Sequence, residues 1–386
     1  MGSVSDLLPT SQSPVQVALI GAGKWGQRLG AAIARQPSLS LRWVCDRDLA
    51  ALVPLAASGS PMATTCAPTA GASSRLDGGP GLTTSLEEAL ADPQVEAVVV
   101  AVNPSENGEV ALRALEGGKH VLVEKPFATT LELGQRIVRT AEARGLVAGV
   151  GHVLRYQPVF CAMERLLATG ELGAPWGFLA QRLGSHRRRE LSPWWVLAPH
   201  DLSLAAAWFG EAARTVRVSE GQLVDARLGF SAGAFGRLLL GAHPERTRET
   251  LLLFERGVIR VDEGGPQSSA ELYRLAPDVA DGARERLAEL LDEPFAVLRA
   301  EVERLLGTVQ GAPLSVRPGD ALQAELAAFS RAVRGGISMP TSVRASLPVL
   351  EMLVLGDPAV DRAPSAVREE ERVPAPVTRL AYDGFA

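Results

Sequence analysis

Residues 15–26 read VQVALIGAGKWG, a short apolar run followed at once by the glycine pattern GxGxxG. The run Val15–Ile20 is rich in β-branched residues and predicts a strand, and Trp25–Gln36 has apolar residues at helical spacing. A second apolar run, Leu41–Cys45, completes a strand, helix, strand unit of about 30 residues. This order predicts an N-terminal α/β domain built on a parallel sheet.

Each glycine of the pattern has its own predicted role. Gly21 permits a sharp turn out of the strand, Gly23 lets the backbone approach a pyrophosphate, and Gly26 allows close packing of helix on strand. The helix start, with Lys24 and Trp25, offers free N–H groups and a positive dipole end to phosphate. The alternative is a tight turn without a ligand. The strand and helix on either side favour a dinucleotide-binding Rossmann domain.

Asp46 follows the second strand, about 20 residues beyond the glycine pattern, where the fingerprint places an acidic residue. We expect its carboxylate to accept hydrogen bonds from the adenosine ribose hydroxyls and to repel a 2′-phosphate. That favours NAD over NADP as the cofactor. The neighbouring Arg47 weakens the preference, because a guanidinium group can accommodate the extra phosphate. The alternative is that Asp46 is only a polar strand end.

A chain of 386 residues is long enough for two domains. Short alternating runs after residue 152 predict strands in the order of an antiparallel meander, and helical spacing returns over Ala283–Gly307 and from Leu322 to Val333. The predicted fold class is an α/β Rossmann domain followed by an α+β domain with a largely antiparallel open sheet. The predicted segments are a flexible N-terminus (1–14), the Rossmann domain (15–151), a substrate and oligomerisation domain (152–356) and a C-terminal arm (357–386).

Composition narrows the class of partner. The formal net charge of −5, with no long basic run, argues against nucleic acid. The three cysteines, Cys45, Cys66 and Cys161, are scattered, and neither CxxC nor HxxxH spacing predicts a metal site. Residues 1–14 lack the apolar core of a signal peptide, and no run reaches about 18 apolar residues, so we expect a cytoplasmic protein away from the membrane.

The run HVLVEKP, residues 120–126, resembles the signature of the Gfo/Idh/MocA family, named for glucose-fructose oxidoreductase, inositol dehydrogenase and rhizopine catabolism. The stretches 196–210 and 340–356 extend the resemblance over nearly the whole chain. It implies that Lys125 lies near the nicotinamide and the substrate, that a cis peptide precedes Pro126, and that Glu124 contacts the nicotinamide ribose. The alternative for Lys125 is a solvated charge at a strand end.

The same resemblance implies that Asn103 flanks the nicotinamide, although it could also form an Asx-Pro turn that only ends the strand. His200 matches the active-site histidine, just before an apolar helix; the alternative is a helix-start histidine that only packs. The family pattern places an aspartate four residues earlier, where this chain has Val196. Asp201 is predicted to cap the helix or to contact the second domain, not to replace that aspartate.

Three arginines are candidate substrate ligands. Arg155 lies in a turn that leads into the second domain, where it either pairs structurally or touches substrate. Arg187 and Arg189 belong to a run, 186–189, whose guanidinium groups are suited to a diphosphate, with a solvated surface as the alternative. Apolar second-domain sheets in this family often form oligomer contacts, so the resemblance implies a homodimer or homotetramer.

These features predict an NAD(P)-dependent oxidoreductase that transfers a hydride between nicotinamide and a carbinol or carbonyl of a sugar, cyclitol or nucleotide-linked sugar. Lys125 and His200 are the predicted catalytic residues. One alternative is a non-catalytic dinucleotide- or sugar-binding protein, which the valine at 196 motivates. Another is an enzyme that uses NAD transiently in a redox-assisted elimination.

Overall fold

The structure is a computed structural model that describes residues 13–48, 50–52, 74–75, 79–184, 192–265, 268–335 and 338–357. The predicted arginine cluster with Arg187 and Arg189 lies outside these residues, as do most of the predicted N-terminal and C-terminal segments. Within them, no helix is long and apolar enough to cross a membrane. The same residues contain no group of three or more His, Cys, Asp or Glu side chains that could hold a metal ion.

Seven strands form the first sheet, in the order β3-β4-β2-β1-β5-β6-β7, and only the β3–β4 pairing is antiparallel among the described strands. The strands are β1 (Val15–Ile20), β2 (Leu39–Cys45), β3 (Ser74–Arg75), β4 (Gly81–Thr83), β5 (Ala97–Val100), β6 (His120–Glu124) and β7 (Ala148–Gly151). Their helices are α1 (Lys24–Arg35), α2 (Leu86–Ala91), α3 (Pro104–Glu116) and α4 (Leu131–Ala143). The strand order reverses between β1 and β5, and the carboxyl ends of strands beside such a reversal are the usual ligand site of an open α/β sheet.

Eight strands form the second sheet, in the order β15-β14-β13-β12-β8-β11-β10-β9. They are β8 (Pro175–Gly184), β9 (Thr215–Glu220), β10 (Val224–Gly229), β11 (Phe235–Ala242), β12 (Thr247–Phe254), β13 (Gly257–Asp262), β14 (Ser269–Arg274) and β15 (Gly311–Pro313). The predicted fold class is confirmed. The simple meander is wrong at one point, because β8 lies between β11 and β12 and pairs with β11 in parallel.

Helices cover both faces of the second sheet. The helices of this part are α5 (Pro158–Thr169), α6 (Pro193–Phe209), α7 (Pro277–Glu289), α8 (Phe295–Leu306), α9 (Ala321–Val333) and α10 (Leu347–Leu355). On one face α6 packs against Phe178 and Ala180 of β8. On the other face, α7 and α8 bury a separate apolar cluster with Leu179 and Leu251. The single helical stretch predicted over Ala283–Gly307 is therefore two helices.

The face of the second sheet that α7 and α8 cover limits which surface an oligomer could use. The prediction of a homodimer or homotetramer relied on an apolar face of the second sheet. In this chain α7 and α8 occupy one such face, with Leu287, Leu298 and Val302 buried against it. An oligomer of this chain would therefore need a surface other than the part of the sheet beneath these helices.

Two segments from the C-terminal part of the chain, α9 and residues 341–343, contact the first domain. Gln323 in α9 donates its side-chain N–H to the carbonyl of Ala32 in α1 at 2.9 Å. Further along, Val150 of β7 donates its N–H to Thr341 at 2.7 Å, and Val343 donates to Ala148 at 2.9 Å. The predicted segment 152–356 thus also packs on the first sheet, at α1 and at β7.

Candidate active site

The turn between β1 and α1 contains two glycines that the fold itself requires. Gly21 has a φ of +100°, and a Cβ there would collide with the carbonyl of Ala101. A Cβ on Gly26 would collide with the carbonyl of Gly21. Both positions need glycine for close backbone packing, whether or not a ligand binds.

Gly23 is different. Its φ of −63° and ψ of −177° are ordinary extended values, and a Cβ there would meet nothing within 4 Å. It precedes α1 without a side-chain capping bond, and Lys24 and Trp25 follow in the first helical turn. N–H groups of a first turn have no partner within their helix. The missing side chain therefore leaves an open main-chain surface next to free donors, which fits the pyrophosphate of a dinucleotide.

Asp46 joins the end of β2 to this turn. Its Oδ2 accepts a hydrogen bond from the N–H of Ala22 at 2.6 Å, and its Oδ1 accepts one from the N–H of Asp48 at 2.9 Å. A carboxylate has about four acceptor sites, so ribose hydroxyls still have acceptors there. Arg47 is exposed and pairs with Glu106 at the start of α3, with Nη1 and Oε1 3.0 Å apart.

Glu124 connects the end of β6 to the glycine turn. Its Oε1 accepts a short hydrogen bond from the indole N–H of Trp25, and its Oε2 accepts one from the main-chain N–H of Lys125 at 3.3 Å. The peptide between Lys125 and Pro126 is cis, as the resemblance implied. Asn107 in α3 holds this segment by donating to the carbonyls of Glu124 and Pro126 at 3.0 and 3.1 Å. Sequence reasoning missed Asn107, although its signal is a polar residue on the buried face of α3.

Asn103 immediately precedes α3 at the carboxyl end of β5. Its side chain is exposed and makes no capping hydrogen bond to the helix. The Asx-turn alternative predicted such a bond. The helix start instead depends on main-chain bonds from Glu106 and Asn107 to the Asn103 carbonyl, so the side-chain amide is not used by this turn.

Lys125 and His200 meet between the two sheets. Helix α6 begins at Pro193, so the prediction that His200 precedes the helix is wrong. Pro199 lies inside the helix, where it cannot donate to the Trp195 carbonyl one turn earlier. The Nζ of Lys125 donates to the main-chain carbonyl of Val196 at 3.0 Å. The expected carboxylate is thus replaced by a valine whose main-chain oxygen contacts the lysine.

Electrostatics hold His200 in its neutral form. Burial lowers its pKa well below the usual value, and Lys125, Arg182, His152 and Arg248 lower it further. Its Nδ1 is buried and has no hydrogen-bond partner in the described part of the chain. Burial therefore keeps the His200 imidazole neutral, in contrast to the expected acid/base group that titrates near neutral pH.

His152 lies beside these groups and was not predicted as a site residue. Its side chain is 3% exposed, and neither ring nitrogen has a hydrogen-bond partner among the described residues. Burial lowers its pKa to about 3, and the charges of Arg155 and Lys125 contribute. A second neutral imidazole therefore lies close to the lysine.

Asp201 and Arg155 have structural partners. Both oxygens of Asp201 accept hydrogen bonds from Nε of Arg182, at 2.9 and 2.7 Å, so the predicted contact with the second domain is confirmed and the predicted cap is wrong. Arg155 donates from Nε to Glu164 at 2.8 Å and from Nη1 to the carbonyl of Ser203 at 3.4 Å. These contacts match the structural alternative for Arg155.

Comparison with known proteins identifies the family. The family model described as an oxidoreductase family with an NAD-binding Rossmann fold matches residues 15–152. Residues 15–152 are therefore a Rossmann domain of the Gfo/Idh/MocA oxidoreductase family. The match ends one residue after β7 and includes the glycine turn, Asp46 and Lys125.

Curated relatives of this chain align over part of their length. The 1,5-anhydro-D-fructose reductase of Ensifer adhaerens is 42% identical over 92 residues, which are 24% of this chain and 28% of that protein. The scyllo-inositol 2-dehydrogenase (NAD(+)) of Bacillus subtilis is 32% identical over 88 residues, which are 23% of this chain and 26% of that protein. The alignments thus span about a quarter of each of these relatives.

The likeness in fold extends much further. A solved structure of UDP-N-acetylglucosamine 3-dehydrogenase from Acidithiobacillus ferrooxidans has a TM-score of 0.68 at 20% identity, over 89% of this chain and 96% of that chain. This chain therefore shares the arrangement of both sheets with a solved protein.

Proposed function

We propose that this protein is an NAD(P)-dependent oxidoreductase that transfers a hydride between a nicotinamide and a ring CH–OH or carbonyl group of a sugar or cyclitol. The observation that carries the proposal is the open backbone at Gly23, because the fold gives no steric reason for glycine there. A bound pyrophosphate gives that reason. The named relatives act on a sugar-derived ketone, a cyclitol and a nucleotide sugar, which motivates the substrate class.

Nicotinamide supplies the hydride acceptor or donor when the cofactor is bound. In the oxidation direction, His200 is the proposed acceptor of the substrate's hydroxyl proton, because burial keeps its ring neutral and its Nδ1 has no partner among the described residues. Lys125, positioned by its bond to the Val196 carbonyl, stabilises negative charge on the substrate oxygen. Glu124 and Asn107 fix the segment that carries the lysine.

NAD is the proposed preference over NADP. Two contacts support this preference: Asp46 accepts a hydrogen bond from the glycine turn, and Arg47 pairs with Glu106. At equal concentrations NADH should raise the melting temperature more than NADPH does, since the tighter ligand stabilises the native state more. A larger shift with NADPH would refute the role of Asp46.

Activity is tested with a panel of sugars, cyclitols and nucleotide sugars, followed by the absorbance of reduced nicotinamide. Turnover of at least one substrate, abolished when Lys125 is replaced, supports the oxidoreductase. Tight dinucleotide binding without turnover of any panel member would favour the non-catalytic alternative, which the valine at 196 motivates. Product that forms without net reduced cofactor would favour redox-assisted elimination. A role for Arg187 and Arg189 in holding a diphosphate remains a prediction.

A further inference from the structure

Two arginines lie directly opposite each other on neighbouring strands of the second sheet. Arg182 of β8 pairs in register with Arg248 of β12. Residues paired in this way have Cβ atoms about 5 Å apart on one face, and like charges so placed are destabilising. Both lie on the face that packs against α6, since Arg182 bonds to Asp201 of that helix. The sheet therefore concentrates positive charge beside the helix that carries His200.

Two N–H donor atoms of this arginine pair have no hydrogen-bond partner among the described residues. Arg182 is 2% exposed; its Nε binds Asp201 and its Nη2 binds Glu263 at 2.9 Å. Its Nη1 is buried without a hydrogen-bond partner among the described residues, and so is Nε of Arg248. A buried charged donor without an acceptor is destabilising, so these atoms are expected to meet an acceptor in the working protein.

A cavity of about 340 Å³ opens at this pair. It lies where β8 ends and β12 begins, and its lining includes Arg182, Arg246, Arg248 and Leu197. Leu197 is three residues before His200 on α6, and residues at that spacing share one face of a helix. Through Leu197, the cavity therefore borders the face of α6 that carries the proposed base.

The charge balance of the cavity favours an anion. Among the described residues, three guanidinium groups line it, whereas the neighbouring carboxylates Asp201 and Glu263 are both bound to Arg182. Burial lowers the pKa of Arg248, and the charges of Arg182 and Arg246 lower it further, in opposition to Glu263 and Asp201. A planar oxyanion accepts parallel hydrogen bonds from guanidinium groups, so it satisfies both the charge and the unused donors.

We propose that this cavity binds a carboxylate or phosphate group of the substrate, with Arg248 and Arg182 as its ligands and Arg246 at its open side. The proposal rests on the proposed function, because it places the anionic group on the same molecule whose carbinol meets Lys125 and His200. The substrate class is then an acidic sugar, such as a hexuronate or a sugar phosphate, and not a neutral one.

The first test uses inorganic phosphate as the probe on the full chain. Binding is measured by calorimetry and by melting temperature against chloride at equal ionic strength, for the wild type, Arg248→Met and Arg260→Met. Arg260 is the matched control, because it lies in β13 and pairs with Glu249 and Glu303. Arg248→Met should weaken phosphate binding at least about tenfold, the effect of losing a charge-assisted donor, while Arg260→Met leaves it unchanged. No saturable binding to the wild type, or equal binding by all three proteins, would overturn the proposal.

The second test distinguishes the two oxyanions. With NADH present, the binding of D-glucuronate, D-glucose 6-phosphate and D-glucose is compared in the wild type and in Arg248→Met. A carboxylate site makes glucuronate the tightest ligand, a phosphate site makes glucose 6-phosphate the tightest, and Arg248→Met removes either preference. Equal affinity for all three sugars would refute an oxyanion site. NADH binding should be the same in both proteins, so loss of the sugar preference alone leaves the dinucleotide assignment intact.

Discussion

The buried His152 should make the protein lose stability as the pH falls from 7 to 5, because its ring takes up a proton only when the chain unfolds. The imidazole is 3% exposed and its pKa is lowered from 6.5 to about 3, by burial first and then by Arg155 and Lys125. The native ring therefore stays neutral at pH 5, whereas the ring in the unfolded chain takes up a proton below about 6.5. Each pH unit below that value costs about 1.36 kcal/mol, which gives a loss of about 2 kcal/mol at pH 5.

The assay compares free energies of unfolding in urea at pH 7 and pH 5. His152→Gln, which does not titrate, should reduce the pH-dependent loss by about 2 kcal/mol relative to the wild type. His243→Gln is the control, since it removes an exposed histidine, and it should keep the wild-type dependence. His200 also has a lowered pKa, so some dependence should remain in His152→Gln. An unchanged loss in His152→Gln would refute the neutral buried imidazole.

Three further substitutions test other groups of the site. Lys125→Met should lower the turnover rate by about a hundredfold or more with little change in NADH affinity, and a raised Michaelis constant alone would make Lys125 a binding residue. Glu325 has a fully buried carboxyl group whose pKa is raised well above its usual value by burial and by Glu124, so the wild type loses stability as the pH rises above about 4.5. Glu325→Gln should therefore gain in melting temperature over the wild type between pH 5 and pH 8, and parallel curves would contradict this. Val196→Asp should raise turnover if the site is a weakened dehydrogenase, and unchanged or lower turnover across pH would indicate a remodelled pocket.

Local patterns predicted the first strand, turn and helix of the first sheet well, because each of these elements is encoded by adjacent residues. The turn at Gly21, the helix that follows Gly23 and the strand that ends at Cys45 each depend on a few adjacent residues. The strands of the second sheet were also visible as alternating runs. Their spatial order was not, because the parallel pairing of β8 with β11 joins strands that are distant along the chain.

The start of α6 shows a second reason why the sequence alone did not predict the structure. Pro199 suggests a helix boundary, since residues before proline disfavour helical geometry. The helix nevertheless begins at Pro193 and continues through Pro199, because its apolar face is buried against β8 and α10. Tertiary packing outweighs the local preference, and it moves His200 from the helix start to the second turn.

Long-range polar contacts were the least predictable part of the site. The bond from Trp25 to Glu124 and the pairing of Arg182 with Arg248 each join residues far apart in the sequence. Asp46 was placed correctly, but its bond to the Ala22 N–H emerges only when β2 and β1 lie side by side. Motif spacing therefore predicts which residues are candidates, while strand register decides which of them meet.

Binding of NADH to wild type, Gly23→Ala and Gly23→Asp tests the central claim most directly. The backbone at Gly23 is extended and a Cβ there meets no atom within 4 Å, so both variants should fold with nearly unchanged melting temperature. If the open surface holds a pyrophosphate, a carboxylate there should weaken NADH binding by about a hundredfold, or about 2.8 kcal/mol, and the methyl group should weaken it less. Wild-type NADH affinity in Gly23→Asp, in a normally folded protein, would contradict a dinucleotide at this turn.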